Sequence, residues 1–222
     1  MVSAVERCLR VLAPWTRIST RHPWSHNDAY GWWIAFHSRR LRTAHPRTAL
    51  DIGCGTGNLI ARLANAVDEV TGIEPDTPTA ELAATRFAAD SRVRVIHGAF
   101  DDRPAGSWDV VTLVAVLHHL PLEATLTSLR SMIKPGGKLI VVGLSRETRG
   151  DLPWSAVSLL LNPLIGLIRH PRADGTLPTG MTAPSKDPTE TFEQIRDAAQ
   201  TILPGSRMHR GLFFRYRLVW QP

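Results

Sequence analysis

The stretch that decides the fold is "ALDIGCGTGN", residues 49–58, in which an apolar run leads into a glycine-rich loop and then a helix-like sequence. Gly53, Gly55 and Gly57 alternate with other residues in this loop. Glycines between a strand and a helix let the backbone approach a nucleotide-like ligand closely. The dinucleotide pattern G-x-G-x-x-G is absent, because Asn58 stands where its third glycine would fall. The loop therefore indicates a nucleotide-like ligand and disfavours a dinucleotide.

Strand-like and helix-like segments alternate on both sides of this loop. Strands are expected at 47–52, 69–74, 92–97, 108–116 and 138–144, and helices at 58–66, 77–90, 121–133 and 188–202. The strand segments are nearly continuous apolar runs, which is typical of a parallel sheet covered on both faces. Two further strands, near 206–213 and 214–220, are expected to form an antiparallel pair at the sheet edge. The sequence thus predicts an α/β fold with a Rossmann-like, doubly wound, seven-stranded sheet that is mostly parallel.

The length of 222 residues favours one domain over the whole chain, 1–222. We expect four parts within it: an N-terminal helical cover, a cofactor-binding core, a lid-like insertion, and a C-terminal helix with the strand pair, at 1–44, 45–144, 145–187 and 188–222. The cover should contain helices at 1–13 and 27–44. The "KPGG" sequence at 134–137 should form the turn that ends a helix.

An acidic residue in the second strand sharpens the ligand assignment. Glu74 lies at the end of that strand, 23 positions after Asp51, which closes the first strand. A carboxylate at the end of the second strand of such a fold accepts hydrogen bonds from ribose hydroxyls. The loop and Glu74 together predict a ribose-bearing ligand.

Four ordered segments then resemble those of the class I S-adenosylmethionine-dependent methyltransferases: "ALDIGCGTGN" at 49–58, "VTGIEPD" at 70–76, "WDVVTLVAVLHHL" at 108–120 and "MIKPGGKLIVVG" at 132–143. They cover roughly residues 45–145, in the family's order and spacing. The arginine-rich composition and the closing "FFRYRLVW" are most similar to small actinobacterial members. The resemblance implies S-adenosylmethionine as the cofactor, and it implies that the cofactor is bound by Asp51, Gly53, Cys54, Gly55, Gly57, Asn58, Glu74, Pro75, Phe100, Asp101 and Ala115.

The resemblance also implies individual roles. The glycines would let the backbone pass the methionine and ribose parts, Asp51 would orient the loop, and Glu74 would hold the ribose hydroxyls. Pro75 and Phe100 would flank the adenine, and the Ala115 carbonyl would face the methionine ammonium. Many relatives carry an acid at the position of Ala99, so adenine recognition here falls to Asp101, Asp102 or the backbone.

Two histidines follow the fourth strand at its cofactor-facing end. His119 is the candidate general base or substrate contact, with His118 beside it. The alternative is that one histidine caps the loop and the other packs against helix 121–133. Tyr30 and His37 are candidate substrate contacts on the N-terminal cover, or else a core tyrosine and a solvated histidine.

The apolar segment 154–168, which begins at Trp154, supplies a further candidate substrate contact. It is interrupted by Asn162, Pro163 and Gly166 and falls short of a membrane span, so none is expected. We interpret it as a lid over the active site or a contact in a homodimer. Plain core packing and an interfacial membrane helix are the alternatives.

Composition narrows the partners and the compartment. The net charge of +6 comes from scattered arginines without a basic run, so a dedicated nucleic-acid site is not favoured. Two cysteines, Cys8 and Cys54, indicate a reducing, cytoplasmic setting. No Cys/His cluster has metal-ligand spacing, and no D/N-P-P-Y motif of amino-group methyltransferases follows the fourth strand.

The function expected from the sequence is methyl transfer to a small, apolar acceptor, at oxygen rather than nitrogen or carbon. An RNA or tRNA methyltransferase is the alternative that the basic charge suggests. A protein that binds S-adenosylmethionine without turnover is a third possibility, since a fold alone does not establish catalysis.

Overall fold

The structure is a computed structural model that describes residues 24–41, 45–169 and 186–222. The helix expected at 1–13, Cys8 and residues 170–185 of the expected lid-like insertion lie outside the described residues. Of the helix expected at 27–44, the structure describes a short 3₁₀ turn, His26–Ala29, and a helix α1, Gly31–Arg39.

Seven strands form one sheet, in the spatial order β3-β2-β1-β4-β5-β7-β6. Strand β7 is antiparallel to both of its neighbours, β5 and β6, and the remaining strands are parallel. The doubly wound sheet with an antiparallel C-terminal pair is therefore confirmed. The strands are β1 Thr48–Ile52, β2 Glu69–Glu74, β3 Val93–His97, β4 Trp108–Val114, β5 Ile133–Gly143, β6 Arg207–Arg210 and β7 Tyr216–Trp220.

Helices cover both faces of the sheet. They are α1, then α2 Asn58–Leu63, α3 Thr77–Arg86, α4 Leu122–Ser131, α5 Leu152–Arg169 and α6 Phe192–Ile202. Because side chains alternate along a strand, β1 turns Leu50 toward the core shared with α4 and α6, and Ala49 toward the core shared with α1 and α2. Asp51 follows the same alternation and lies on the side of α1 and α2.

The sheet register places the ends of β1, β2 and β4 at one edge. Asp51 pairs with Gly72 of β2 and with Thr112 of β4. The loops that follow these strands consequently meet at the carboxyl edge, where ligands bind in open α/β sheets.

The "KPGG" sequence departs from expectation, because it lies within β5 instead of forming a separate turn. Trp108 pairs with Ile133 and Val110 pairs with Lys138, so residues 134–137 form an irregularity opposite one residue of β4. The Trp108 N–H donates to the Met132 carbonyl at 2.7 Å, which carries the pairing back to the end of α4. Strand β4 also ends earlier than expected, at Val114.

Helix α5 differs from a second expectation, that Asn162, Pro163 and Gly166 interrupt the apolar segment. The helix continues through all three residues. The helix also presents its apolar side outward. Its most buried positions, Ser158, Pro163 and Gly166, are small or polar. Large apolar side chains are exposed instead: Leu152, Trp154, Val157, Leu159, Leu160, Leu164, Leu167 and Ile168.

By length and composition alone, one described segment, Arg149–Ile168, is long and apolar enough to cross a membrane, with 20 residues. Only the described residues enter this comparison. The sequence-based expectation of no membrane span therefore stays a prediction.

Candidate cofactor and acceptor site

The glycine loop is fixed at the end of β1 by backbone hydrogen bonds. The N–H groups of Gly53 and Cys54 both donate to the Ile73 carbonyl of β2, at 2.8 and 3.1 Å. Gly53, Gly55 and Gly57 have φ values of +68°, +56° and +81°. Residues with a Cβ rarely adopt such angles, so this loop conformation requires glycine.

The three glycines nevertheless meet different surroundings. A Cβ on Gly53 would lie 2.3 Å from Val116 Cγ2, and one on Gly57 would lie 2.4 Å from Phe87 Cε2. A Cβ on Gly55 would meet no atom of the described residues within 4 Å. Gly55 thus faces open space for a ligand, whereas Gly57 lets the loop pack against Phe87.

The open space is a pocket between the glycine loop and the N-terminal segment, and we call it the cofactor pocket. It encloses about 590 Å³ of empty space, including the part open to solvent. Its lining comes from the 3₁₀ turn, α1, β1, the loop, α2 and β4: Ser25, Asn27, Asp28, Gly31, Ile34, Asp51, Gly53, Cys54, Gly55, Thr56, Asn58, Leu59, Arg62 and Val114. Ser25, Asn27, Asp28, Gly31 and Ile34 of the N-terminal segment therefore line this pocket together with the loop.

Asp51 gives this pocket a buried acceptor. Its Oδ1 accepts a hydrogen bond from Thr112 Oγ1 at 2.6 Å, while Oδ2 has no partner among the described residues. Burial raises the pKa of Asp51 to about 7, and the charge of Glu74 adds to this, although the Thr112 hydrogen bond opposes it. An unpaired buried carboxylate oxygen needs a donor or a cation. The ammonium of S-adenosylmethionine fits that requirement.

Glu74, the acid expected to bind the ribose, is buried at the end of β2 beside the glycine loop. It is 7% exposed, and its two oxygens accept the N–H groups of Gly55 at 2.9 Å and Asp76 at 3.1 Å. An ionised carboxylate has about four acceptor sites, so further donors can be accommodated. Asp76 itself caps α3 by accepting from the Thr79 N–H at 3.1 Å.

The two acids in the segment after β3, Asp101 and Asp102, have different surroundings. Asp102 Oδ2 accepts the Ala99 N–H at 2.8 Å, so Asp102 closes its own turn. The Asp101 side chain is 97% exposed. Phe100 packs beneath the Arg103 guanidinium, whose Cζ lies 4.1 Å from the ring centroid. Asp101 Oδ1 lies 3.5 Å from Arg103 Nη1, so this exposed acid forms an ion pair with Arg103 and keeps further acceptor sites.

Six residues proposed for the cofactor do not line the cofactor pocket: Gly57, Glu74, Pro75, Phe100, Asp101 and Ala115. Ala115 follows β4 with φ +57°, an uncommon value for a residue with a Cβ, and its N–H donates to the Val142 carbonyl at 2.8 Å. Pro75 is exposed after β2, and its carbonyl lies 3.2 Å from His97 Nε2. Strained backbone of the Ala115 kind concentrates at functional sites.

Two loop residues have structural partners. The Cys54 thiol is buried against the sheet, and burial raises its pKa, so it is a poor nucleophile. Asn58 Oδ1 accepts from Arg86 Nη1 at 2.8 Å, and the same nitrogen donates to the Thr56 carbonyl at 3.0 Å. Arg86 thus fixes the loop from α3. A single sequence carries no signal for that long-range contact.

The histidine pair follows β4, with ring centroids 4.0 Å apart. His118 is buried, its Nδ1 has no partner among the described residues, and burial lowers its pKa to about 4. His119 is exposed, and partial burial together with Lys186 lowers its pKa. Both imidazoles are therefore neutral near pH 7, the state that a general base requires.

Tyr30 and His37, the candidate substrate contacts of the N-terminal segment, pack against different parts of the protein. The Tyr30 hydroxyl donates to the Leu212 carbonyl at 2.7 Å, so this tyrosine ties the N-terminal segment to the β6–β7 turn. His37 packs edge-on against Trp33, with ring centroids 4.7 Å apart. Neither residue lines the cofactor pocket or the pocket that Trp154 lines.

The pocket beside Trp154, which we call the second pocket, lies where β5 ends and β7 begins. Its lining is Ser145, Glu147, Asp151, Trp154, Ser155, Phe192, Arg210, Gly211, Phe214, Arg215 and Tyr216. Asn27, which lines the cofactor pocket, accepts from Arg215 Nη2 at 3.0 Å. The two pockets are therefore neighbours along the carboxyl edge of the sheet.

Within residues 24–41, 45–169 and 186–222, no group of three or more His, Cys, Asp or Glu side chains is placed to hold a metal ion.

Known proteins are similar to this chain in sequence and in fold. Residues 50–139 match a family model described as a methyltransferase domain. An uncharacterized methyltransferase of Mycobacterium tuberculosis is 31% identical over 180 residues, which are 78% of this chain and 85% of that protein. This identity and coverage establish common family membership.

Solved structures show the same fold at low identity. An S-adenosylmethionine-dependent methyltransferase from Aquifex aeolicus is similar with a TM-score of 0.58 and 14% identity, over 93% of this chain and 97% of that one. The mitomycin 7-O-methyltransferase MmcR is similar with a TM-score of 0.53 and 20% identity, over 87% of this chain and 54% of that one. With the glycine loop, the orphan oxygen of Asp51 and the carboxylate of Glu74, these matches lead to one conclusion: the chain belongs to the class I S-adenosylmethionine-dependent methyltransferases.

Proposed function

We propose that this methyltransferase acts on an oxygen atom of a small acceptor with a largely apolar body. The observation that carries the proposal is the second pocket, which places Trp154, Phe192 and Phe214 beside the cofactor pocket. Aromatic side chains in a concave site favour a small apolar ligand over a polymer surface.

Different described residues would bind different parts of the cofactor. Asp51 and Glu74 would hold the ammonium and the ribose of the cofactor, and Gly55 would leave room for it. Bound S-adenosylmethionine supplies an electrophilic methyl group on a sulfonium. The chain's main contribution is to align the acceptor with the methyl group and to exclude water. In well-oriented reactions such alignment lowers the activation barrier by several kcal/mol.

We assign the role of general base to His119. An acceptor hydroxyl must lose a proton, and the neutral imidazole of an exposed histidine after β4 can accept it. His118, packed against it, would orient the ring. The O-methyltransferase among the structural neighbours supports the choice of oxygen at the level of the fold.

Helix α5 supplies the remaining proposals. Its exposed apolar side, together with Trp154 at the second pocket, supports a lid over the acceptor or a contact between two copies in a homodimer. We place the protein in the cytoplasm, in keeping with the buried free thiol of Cys54.

The test is turnover of isotopically labelled S-adenosylmethionine with pools of small alcohols, phenols and acids, read out by mass spectrometry. A labelled O-methyl product supports the proposal. Labelling confined to RNA, with a steep salt dependence of RNA binding, would replace it by the RNA alternative. Cofactor binding without any labelled product would favour the non-catalytic alternative.

A further inference from the structure

Among the described residues that line the second pocket, Arg215 is the cation without a carboxylate partner. The other arginine there, Arg210, pairs with Asp151 at 2.6 Å and also with Glu193. Among the described residues, no carboxylate forms an ion pair with Arg215. Burial lowers its pKa to about 10, and Tyr30 opposes that effect. A partly buried guanidinium without a counter-charge is costly unless a ligand supplies one.

The hydrogen bonds of Arg215 leave part of its guanidinium available. Nε and Nη2 both donate to Asn27 Oδ1, at 3.2 and 3.0 Å. Nη1 reaches the carbonyls of Phe213 and Phe214 only at 3.4 and 3.5 Å, the long limit of a hydrogen bond. Since each terminal nitrogen carries two N–H groups, Nη2 keeps one donor with no acceptor in the described part of the chain.

The turn that carries Arg215 is held in a strained conformation. Phe213 and Phe214 have φ values of +58° and +60°. These are the central positions of a tight hairpin turn, where Asn and Gly are strongly preferred. The strain persists because Phe213 N–H donates to the buried Ser158 Oγ at 2.7 Å and Tyr30 bonds the Leu212 carbonyl. Strained residues fixed by their surroundings cluster at ligand sites.

The position of Arg215 connects the two pockets. Its side chain lines the second pocket, while its partner Asn27 lines the cofactor pocket. Glu147, an acid of the same pocket, already accepts from the Ser155 hydroxyl. An acceptor seated on Phe214 and Trp154 would thus meet one available positive charge close to the cofactor.

We propose that Arg215 binds a carboxylate on the methyl acceptor, so that the substrate class is a small acid with an apolar body. This inference rests on the proposed function, which places the acceptor in the second pocket. It adds the requirement that the methyl acceptor carry a negative charge, which neither the fold nor the glycine loop indicates. Arginine suits this role because its planar fork matches a carboxylate.

The experiment compares two probes of similar shape, hexanoate and 1-hexanol, by ligand-observed NMR titration at pH 7.5 with saturating S-adenosylhomocysteine. The wild-type protein should bind hexanoate saturably and bind hexanol at least about tenfold more weakly. Arg215→Gln should weaken hexanoate by about tenfold or more and leave hexanol unchanged. Arg207→Gln, an exposed site on β6 with the same charge change, should behave as wild type.

Two safeguards keep the outcomes separable. If Arg215→Gln does not fold, the wild-type contrast between hexanoate and hexanol decides, and Arg215→Lys tests charge without the fork. Absent saturation by hexanoate, equal binding of hexanol, or binding to Arg215→Gln within twofold of wild type would each overturn the inference. Titration of S-adenosylhomocysteine on the same samples tests the cofactor assignment, and the labelled-product screen tests the acceptor class independently.

Discussion

Glu74 holds the glycine loop from the neighbouring strand, because its carboxylate accepts the N–H of Gly55 at 2.9 Å. One side chain thus fixes the loop, and its carboxylate has further acceptor sites. We therefore expect Glu74 to contribute more to cofactor affinity than the histidine pair that follows β4.

Replacing Glu74 should therefore cost more cofactor affinity than replacing His119. We expect Glu74→Ala to weaken S-adenosylmethionine by about tenfold or more, since a buried N–H loses its acceptor and the ribose loses its partner. His119→Ala should change affinity by less than about twofold. Calorimetric titration measures both, and Glu81→Ala, an exposed acid of α3, is the matched control. The reverse ordering would refute the separation of ribose and substrate roles.

Asp51 should make cofactor binding depend on pH near neutrality. Its pKa in the folded, unliganded protein is raised to about 7, and an ammonium partner favours the ionised form. Affinity should thus decrease as the pH falls below about 7, by up to about tenfold per unit, with proton release on binding at pH 6. Titrations in buffers of different ionisation enthalpy measure that release; a pH-independent affinity would contradict the role.

The same residue should limit the stability of the unliganded protein. Because the folded-state pKa lies above the ordinary 3.8, the folded state holds its proton more tightly, and stability falls as the pH rises from about 4 to 7. Asp51→Asn should raise the free energy of unfolding at pH 8 by roughly 1–3 kcal/mol and abolish this slope. It should also weaken the cofactor. Urea unfolding at pH 5 and pH 8 separates these effects, and equal stabilisation at both pH values would disprove the linkage.

Alanine substitutions at three glycines should distinguish the effects of backbone strain, side-chain packing and lost ligand space. Gly136→Ala imposes a left-handed residue at φ +79° in open surroundings, so it should cost about 1 kcal/mol. Gly57→Ala adds the contact with Phe87 and should cost about 2 kcal/mol or more. Gly55→Ala should resemble Gly136→Ala in stability while losing cofactor affinity.

Chemical denaturation ranks the three variants, and Phe87→Leu should recover part of the loss in Gly57→Ala. Equal destabilisation by Gly57→Ala and Gly136→Ala would show that the Phe87 contact relaxes freely.

His119→Asn should lower the turnover of the labelled product by about 10²-fold or more without changing cofactor affinity. Since the pKa of His119 lies below 6.5, the wild-type rate should be flat near pH 7 and fall only on the acid side of 6.5. A rate that falls between pH 8 and 7 would implicate a different base. His209→Asn, an exposed histidine of β6, is the control.

The outward-facing apolar side of α5 leads to an unusual stability comparison. Ile168→Ser, at a side chain that is 79% exposed, should change stability by less than about 0.5 kcal/mol. Ser158→Ala should cost about 1–3 kcal/mol, because the Phe213 N–H loses its buried acceptor. Thermal unfolding measures both. Sedimentation of Ile168→Ser should shift toward the monomer if α5 joins two copies, and unchanged sedimentation would contradict the homodimer proposal.

Local pattern predicted most of the sheet and the placement of the glycine loop and Glu74 at one edge of it. The apolar strands, the glycines and the spacing from Asp51 to Glu74 are properties of short segments, and the register of adjacent parallel strands brings them to one edge. The same local logic failed at "KPGG" and in α5. Strand pairing with Trp108 keeps 134–137 in the sheet, and helix formation continues through Pro163.

By itself, the sequence determined the fold class, because periodicity acts over a few residues, and the resemblance of four ordered segments to a known family indicated the cofactor. Only the tertiary structure decided the surroundings of individual residues. It set Gly57 against Phe87, left Asp51 Oδ2 without a partner among the described residues, and brought Asn27 to Arg215 across 188 positions. Such contacts depend on how distant segments pack, and burial gives them their chemical character.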